Sequence, residues 1–220
     1  MEIITGRVTG YDRGVITAKA DYDNTTRFCR ISPDECLIVL KDSREITQEQ
    51  RKKAYALLNE ISEYMGEMPE YTKRLFKLKF IHENMKGLAD GIFSLSDCDV
   101  TTAREFITYL IDFIIAHDIP TRVPLSELCE DVQKYVYACA LRKKCCVCGK
   151  KAEIHHYDAI GSRYDRSKPI HEGLRALPLC REHHAEMHSA VNAAFLEKYH
   201  IEPIILDKTL CKKWRLPYEN

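Results

Sequence analysis

The feature that most constrains this chain is a run of cysteine and histidine residues in its last third. In sequence order the run is Cys145, Cys146, Cys148, His155, His156, Cys180, His183, His184 and His188. The other six cysteines are scattered singly, mostly among apolar neighbours, which is typical of small core residues in a reducing compartment. Clustered Cys and His at short spacings are instead typical of metal ligands. The run therefore predicts metal sites rather than disulfides.

One set of these residues is predicted to form a closed zinc site. In Cys145-x-x-Cys148, a gap of two residues lets a tight turn direct both side chains at one ion. Cys180-x-x-His183 repeats that spacing further along the chain. Three thiolates and one imidazole complete a tetrahedral structural site, which stabilises a small domain. Cys146 is an alternative to Cys145, although Cys146-x-Cys148 is the poorer spacing.

The remaining histidines predict a second, open metal site. His184 and His188 are four residues apart and therefore share one face of a helix. His155 and His156 are adjacent, so on a strand their side chains point to opposite sides. We expect one of this pair to share an ion with His184 and His188, and the other to act as a base on water. Three nitrogen ligands leave coordination positions open for phosphate and solvent, as metal-assisted hydrolysis requires.

The stretch from about residue 145 to residue 200 resembles the HNH, or ββα-metal, nuclease superfamily. The resemblance lies in Glu153-Ile154-His155-His156 and in Leu179-Cys180-Arg181-Glu182-His183-His184-Ala185-Glu186-Met187-His188. It implies a metal-dependent endonuclease in which His155, His184 and His188 bind the catalytic metal and His156 is the general base. The catalytic cation would be Mg²⁺, Mn²⁺ or another divalent ion. Because Mg²⁺ usually prefers oxygen ligands, a site made of histidines also suits Mn²⁺, Ni²⁺ or Zn²⁺, and the identity of the cation stays open.

The sequence departs from that family at its middle position. Arg175 stands where the family commonly has Asn, five residues before the cysteine of the Leu-Cys pair. His171 or a backbone group is the alternative for orienting the loop of the base. Arg163, Arg166 and Lys168, like Arg175, lie between the two halves of the motif. We expect them to form either phosphate contacts or a solvated loop.

Charge and hydropathy restrict the kind of nucleic-acid surface and the cellular location that we expect. The chain of 220 residues carries 33 Lys+Arg and 33 Asp+Glu, so any basic surface that binds nucleic acid must be local. The longest apolar stretch, 109–116, is too short to span a bilayer. Residues 1–6 have neither the basic nor the apolar region of a secretory signal. We therefore expect a cytoplasmic protein without membrane segments.

The first 143 residues predict an α+β domain in which strands precede helices. Strands are expected at 3–9 and 15–20 around a turn at 11–14, with further candidates at 27–31 and 37–41. The expected helices cover 47–65, between a Thr47/Gln50 capping box and Gly66, then 69–81, from Thr101 or Thr102 to His117, and about 126–143.

The basic residues 142–144 mark a change in composition and the predicted domain boundary. The first domain would cover residues 1–143, and domain 144–220 would be a small zinc-stabilised ββα-metal module with a C-terminal tail. The predicted fold class is therefore α+β throughout.

The N-terminal part resembles the NinB/Orf family of phage recombination mediators. The resemblance lies in residues 43–58, which read Ser-Arg-Glu-Ile-Thr-Gln-Glu-Gln-Arg-Lys-Lys-Ala-Tyr-Ala-Leu-Leu, and in residues 93–96 and 101–119. It implies a homodimer that binds single-stranded or branched DNA and works with single-strand-binding protein. Arg51, Lys52 and Lys53 would then be DNA contacts. The combined layout resembles HNHc nucleases encoded by phages and prophages of Gram-positive bacteria, which implies action in the host cytoplasm.

These observations leave three functions open. The leading hypothesis is an endonuclease that cuts single-stranded, duplex or branched DNA in phage recombination or replication. The alternative is a non-catalytic recombination mediator with a structural HNH remnant, which the substitution of Arg175 at the middle position keeps open. A third hypothesis is a zinc-ribbon module for protein interaction.

Overall fold

The computed structural model describes residues 6–21, 23, 25–31, 42–85, 93–158, 170–189 and 192–218. The chain divides into two compact units, Met1–Lys41 and Asp42–Asn220. Across the described residues the architecture is mixed, with small antiparallel sheets and several helices, which is consistent with the expected α+β class. No helix in these ranges is both long and apolar enough to cross a membrane.

The first unit contains the predicted hairpin. Strands β1 (Gly6–Asp12) and β2 (Val15–Ala20) pair antiparallel around Arg13 and Gly14. Both turn residues have positive φ, 45° and 88°, as the two-residue turns that match strand twist require. The hairpin and its second strand are confirmed, whereas the first strand continues to Asp12, which shortens the predicted turn at 11–14 to two residues. Residues 3–5 of the predicted first strand lie outside the described residues.

The predicted strand at 27–31 is wrong, because these residues belong to helix α1 (Thr25–Ile31). The run is only five residues long; its apolar positions 28 and 31 suit a helical spacing, whereas positions 29 and 31 suit a strand. A run this short does not distinguish the two periods. The candidate strand at 37–41 lies outside the described residues.

The second unit begins with helices close to the predicted ones. Helix α2 (Gln48–Met65) has the expected capping box, in which the Thr47 side chain accepts from the Gln50 backbone N–H and the Gln50 side chain accepts from that of Thr47. Gly66 ends it with a φ of 68°. Helix α3 (Pro69–Phe80) continues into a π-helical turn, Ile81–Met85. Helix α4 (Val100–Ala116) begins one or two residues earlier than the predicted Thr101 or Thr102, because Asp99 caps it.

The single helix expected at about 126–143 is two helices, α5 (Leu125–Leu128) and α6 (Val132–Leu141). Asp131 starts α6 by accepting a hydrogen bond from the backbone N–H of Lys134. The neighbouring Glu130 carboxylate is held by Lys53 and Gln50 of α2. These long-range contacts fix residues 129–131 outside a helix, which local periodicity could not predict.

Aromatic packing forms the core among α2, α3 and α4. The rings of Phe80 and Phe106 meet edge to face at 5.4 Å, and those of Phe76 and Phe113 at 4.7 Å. Phe76, Phe80 and Phe106 are buried, as is Leu57 of α2. Edge-to-face pairs of this kind add to the hydrophobic stabilisation from burial.

The last part of the chain forms a three-stranded antiparallel sheet and three helices. The strand order is β3 (Glu153–His156), β4 (Arg175–Leu179) and β5 (Ile204–Ile205). Helices α7 (Arg181–Ser189), α8 (Asn192–Tyr199) and α9 (Lys208–Trp214) complete the fold. Helix α6 contacts β4, β5 and α9, so residue 143 lies within the second unit. The predicted division of function between residues 1–143 and residues 144–220 stays a prediction.

Candidate metal centre

Strand β3 separates the two adjacent histidines. In the register with β4, His155 lies opposite Leu177 and His156 lies opposite Ala176. Successive side chains on a strand point to opposite faces. His155 is only 5% exposed, and His156 is half-buried. The predicted strand and its alternation are therefore present.

The structure brings His155, His184 and His188 together. Their rings lie with centroids 4.8 Å apart for His155–His184 and His155–His188, and 4.9 Å apart for His184–His188. One ring nitrogen of each residue lies within 4.8 Å of the other two. His184 and His188 share one face of α7 because they are one turn apart. We call this group the three-histidine cluster.

The donor chemistry of the three-histidine cluster fits a divalent transition metal. Burial, and then the neighbouring His184 and His188, lower the pKa of His155 to about 4, so its ring is neutral at physiological pH. Neutral imidazoles are the form that binds metal, and three of them suit Mn²⁺, Ni²⁺ or Zn²⁺. The Glu153 carboxylate lies 3.7 Å from Nδ1 of His184 and adds negative charge beside the cluster.

Glu153 is a residue that the sequence prediction did not single out. It lies two positions before His155 on the same strand, so both side chains are on one face. That alternation was the available signal, because a carboxylate on the metal side of a strand orients imidazole ligands in many metal sites.

His156, on the other side of β3, contacts His171. Nε2 of His156 lies 2.7 Å from Nδ1 of His171, and the two ring centroids are 4.8 Å apart. Burial, and then His171 and His184, lower the pKa of His156, so the ring is neutral and able to accept a proton. Of the two candidates for the middle position, His171 is the one in hydrogen-bond contact with His156.

Arg175, the other candidate, is bound by Asp158. Its Nη2 lies 2.6 Å from one carboxylate oxygen, and its backbone N–H donates to the other at 2.8 Å. The guanidinium also lies over the ring of Tyr157, 4.9 Å from the centroid. Arg175 is therefore held at the start of β4 by its own neighbours.

The predicted zinc ligands also lie together. The closest pairs are Cys180 Sγ to His183 Nδ1 at 3.1 Å, Cys145 Sγ to His183 Nδ1 at 3.6 Å, and Cys148 Sγ to Cys180 Sγ at 3.6 Å. All four donor atoms lie within 4.8 Å of one another. Three thiols and one imidazole at these distances fit a tetrahedral zinc site. We call this group the cysteine cluster.

The alternative ligand Cys146 lies apart from this group. Its backbone N–H donates to Pro178 of β4, and its carbonyl accepts the hydroxyl of Tyr135 at 2.7 Å. The residue is fully buried, and that burial, followed by the neighbouring Cys139 and Cys145, raises the pKa of its thiol. A buried neutral thiol of this kind is typical of a core residue.

Ion pairs fix helix α7, which carries residues of both clusters. Glu186 accepts hydrogen bonds from Lys198 at 2.7 Å and from the Tyr199 hydroxyl at 2.9 Å, which joins α7 to α8. Glu182 pairs with Lys150, next to the Cys145–Cys148 turn, at 2.9 Å. The pair with Lys150 thus links α7 to the turn that supplies two of the cysteines, and the Glu186 contacts link α7 to α8.

The residues predicted to contact DNA differ in their surroundings, and their role stays a prediction. Arg163, Arg166 and Lys168 lie outside the described residues. The guanidinium of Arg51 donates to the carbonyls of Leu95 and Ser96 at 2.8 and 2.7 Å. Lys53 pairs with Glu130 at 2.8 Å, whereas Lys52 is exposed. Arg51 and Lys53 therefore have structural partners within the chain.

The comparison with protein families agrees with this geometry. The family described as "Putative HNHc nuclease" matches residues 29–216, which is most of the chain and includes both clusters. Neither the curated proteins nor the solved structures gave a match.

Proposed function

The chain belongs to the HNHc nuclease family, and from that membership we propose that it is a metal-dependent endonuclease with its site on β3, β4 and α7. One observation carries this proposal. A neutral, half-buried histidine, His156, lies on the opposite side of the strand from His155 of the three-histidine cluster. Metal-assisted hydrolysis of a phosphodiester combines a cation site with a base that activates water.

In this proposal His155, His184 and His188 hold the cation. When bound, the cation supplies Lewis-acid chemistry, polarising the phosphate and stabilising the leaving oxygen. His156 takes a proton from the attacking water. Burial keeps the ring of His156 neutral before the reaction, which makes it available as a base.

The cysteine cluster would hold a structural zinc ion. Cys145, Cys148, Cys180 and His183 use all four tetrahedral positions, so this site has no place for substrate. Its role would be to join the Cys145–Cys148 turn to the start of α7. The position of His184 on α7 would then depend on this zinc.

The substrate proposed for this site is DNA, in the single-stranded, duplex or branched form. Resemblance of residues 43–58 and 93–119 to the NinB/Orf mediators supports a role in phage recombination or replication, as a homodimer that works with single-strand-binding protein in the host cytoplasm. Lys52 is the exposed candidate on α2 for a DNA contact, and Arg163, Arg166 and Lys168 remain candidates for phosphate binding.

The test is a cleavage assay with supercoiled, single-stranded and branched DNA in Mg²⁺, Mn²⁺ or chelator. We expect wild-type protein to cut at least one form in a cation-dependent way. The His156→Ala variant should lose about 10²- to 10⁴-fold in rate while keeping its zinc and its fold. Binding of DNA without cleavage under every cation would favour the non-catalytic mediator instead.

A further inference from the structure

The backbone around His171 is held at several points. The N–H of His171 donates to the carbonyl of Pro217 at 2.9 Å, and its carbonyl accepts from Leu174 at 3.2 Å. Gly173 donates to Leu206 at 2.8 Å. His171 itself is 8% exposed. The segment before β4 is therefore attached to the C-terminal part of the chain, and the ring of His171 has little freedom to move.

The contact between His171 and His156 allows two arrangements of the proton, and only one of them leaves His156 able to act as a base. A neutral imidazole carries one N–H and one lone pair, so the direction of the hydrogen bond determines which nitrogen of His156 has the proton. When Nδ1 of His171 accepts, the proton of His156 is on Nε2 and the lone pair of Nδ1 is free. In the reverse arrangement Nδ1 of His156 has the proton, and no lone pair is left to take one from water.

We propose that His171 is a positioning residue for the base: its Nδ1 accepts the hydrogen bond from Nε2 of His156, 2.7 Å away, and so leaves Nδ1 of His156 free to take a proton from water. This inference rests on the proposed function. It assigns to His171 the orientation of the base, at a site where Arg175 is bound to Asp158 instead.

The same contact also serves the protonated base. After His156 takes a proton on Nδ1, both of its nitrogens carry N–H groups, and the one on Nε2 still needs an acceptor in a half-buried position. The lone pair on Nδ1 of His171 is that acceptor before and after the transfer. No rearrangement of either ring is needed, which is the advantage of a preorganised group.

Two substitutions separate this role from simple packing. His171→Leu fills similar space but has no acceptor. His171→Asn has a side-chain oxygen that can accept the same hydrogen bond. We expect His171→Leu to lower kcat about 10- to 100-fold with KM changed less than about threefold, because substrate binding is not involved. His171→Asn should recover most of that loss, with both variants binding zinc.

Ring-nitrogen NMR gives a readout that does not depend on cleavage. In zinc-loaded protein without another divalent cation, we expect the proton of neutral His156 on Nε2 in wild type and in His171→Asn. His171→Leu should show a mixture of the two forms. A wild-type proton on Nδ1 of His156 would overturn the proposal, even if His171→Leu did not fold.

The outcomes also distinguish this inference from the proposed function. If wild type cleaves and His156→Ala does not, but His171→Leu has the wild-type kcat, then the role of His171 is wrong and the nuclease stands. If wild type cuts no DNA with any cation, the proposed function fails, and the NMR result still decides whether His171 fixes the ring of His156.

Discussion

His155 and His156 are neighbours in the sequence, and β3 directs their rings into different groups. The ring of His155 lies 4.8 Å from those of His184 and His188, whereas Nε2 of His156 lies 2.7 Å from His171. One strand thus supplies a candidate ligand on one face and a candidate base on the other. This arrangement needs only the alternation of side chains along a strand.

The cysteine cluster predicts which thiols bind zinc. Cys148 is exposed, so replacing it with Ala leaves no cavity, yet we expect Cys148→Ala to lose the bound zinc and several kcal/mol of stability, because a structural zinc contributes directly to folding. The matched control is Cys146→Ala, which removes a buried thiol outside the cluster. It should keep zinc and cost roughly 1 kcal/mol. The zinc content and the thermal unfolding of both variants are measured. A larger loss of zinc and stability in Cys146→Ala than in Cys148→Ala would contradict the assignment.

The three-histidine cluster predicts a separate cation site. We expect His188→Ala to weaken Mn²⁺ binding at least tenfold, because it removes one of three nitrogen ligands, while the zinc content stays unchanged. The control is His82→Ala, at an exposed histidine outside both clusters. Calorimetric titration of zinc-loaded protein with Mn²⁺ compares the three proteins. Equal Mn²⁺ affinity in wild type and His188→Ala would rule out this site.

Arg51 and Lys52 are neighbours on α2, and we predict opposite roles for them. Arg51→Ala should destabilise the protein by roughly 1–2 kcal/mol, because its guanidinium donates to the carbonyls of Leu95 and Ser96. Lys52→Ala should change stability by less than about 0.5 kcal/mol, since the side chain is exposed. Urea unfolding of the two variants tests this, and an equal loss in both would show that the Arg51 contacts are unimportant.

His155 predicts a dependence of stability on pH in the absence of the second cation. Its pKa is about 4 in the folded protein, against about 6.5 for an unperturbed histidine. The unfolded chain therefore binds more protons between these values, so the free energy of unfolding falls as pH decreases from 6.5 towards 4. His155→Gln removes this contribution and should flatten the dependence by roughly 1–2 kcal/mol at pH 5. Parallel curves for wild type and variant, from urea unfolding at pH 7, 6 and 5, would contradict the prediction.

Local patterns predicted the parts of the site that depend on local geometry. A helix places His184 and His188 on one face because they are four residues apart, and a strand places the adjacent His155 and His156 on opposite faces. The structure has both arrangements. The same holds for the capping box at Thr47. Periodicity and capping need no knowledge of the rest of the fold.

Other features of the structure depend on contacts between distant residues. The break at 129–131 follows from Glu130 binding to α2, 77 and 80 positions away, and the partners of Arg51 are 44 and 45 positions away. Whether Arg175 or His171 contacts the base likewise depends on the positions of Asp158 and Pro217. None of these contacts leaves a local signal in the sequence.

The measurement that tests the central claim most directly is the single-turnover rate of DNA cleavage by wild type and by His156→Ala. The Mn²⁺ concentration is one that saturates both proteins, as determined by calorimetry. We predict equal Mn²⁺ affinity and zinc content, with a cleavage rate about 10²- to 10⁴-fold lower in the variant. Cleavage by His156→Ala at the wild-type rate would contradict the assignment of His156 as the base beside the three-histidine cluster.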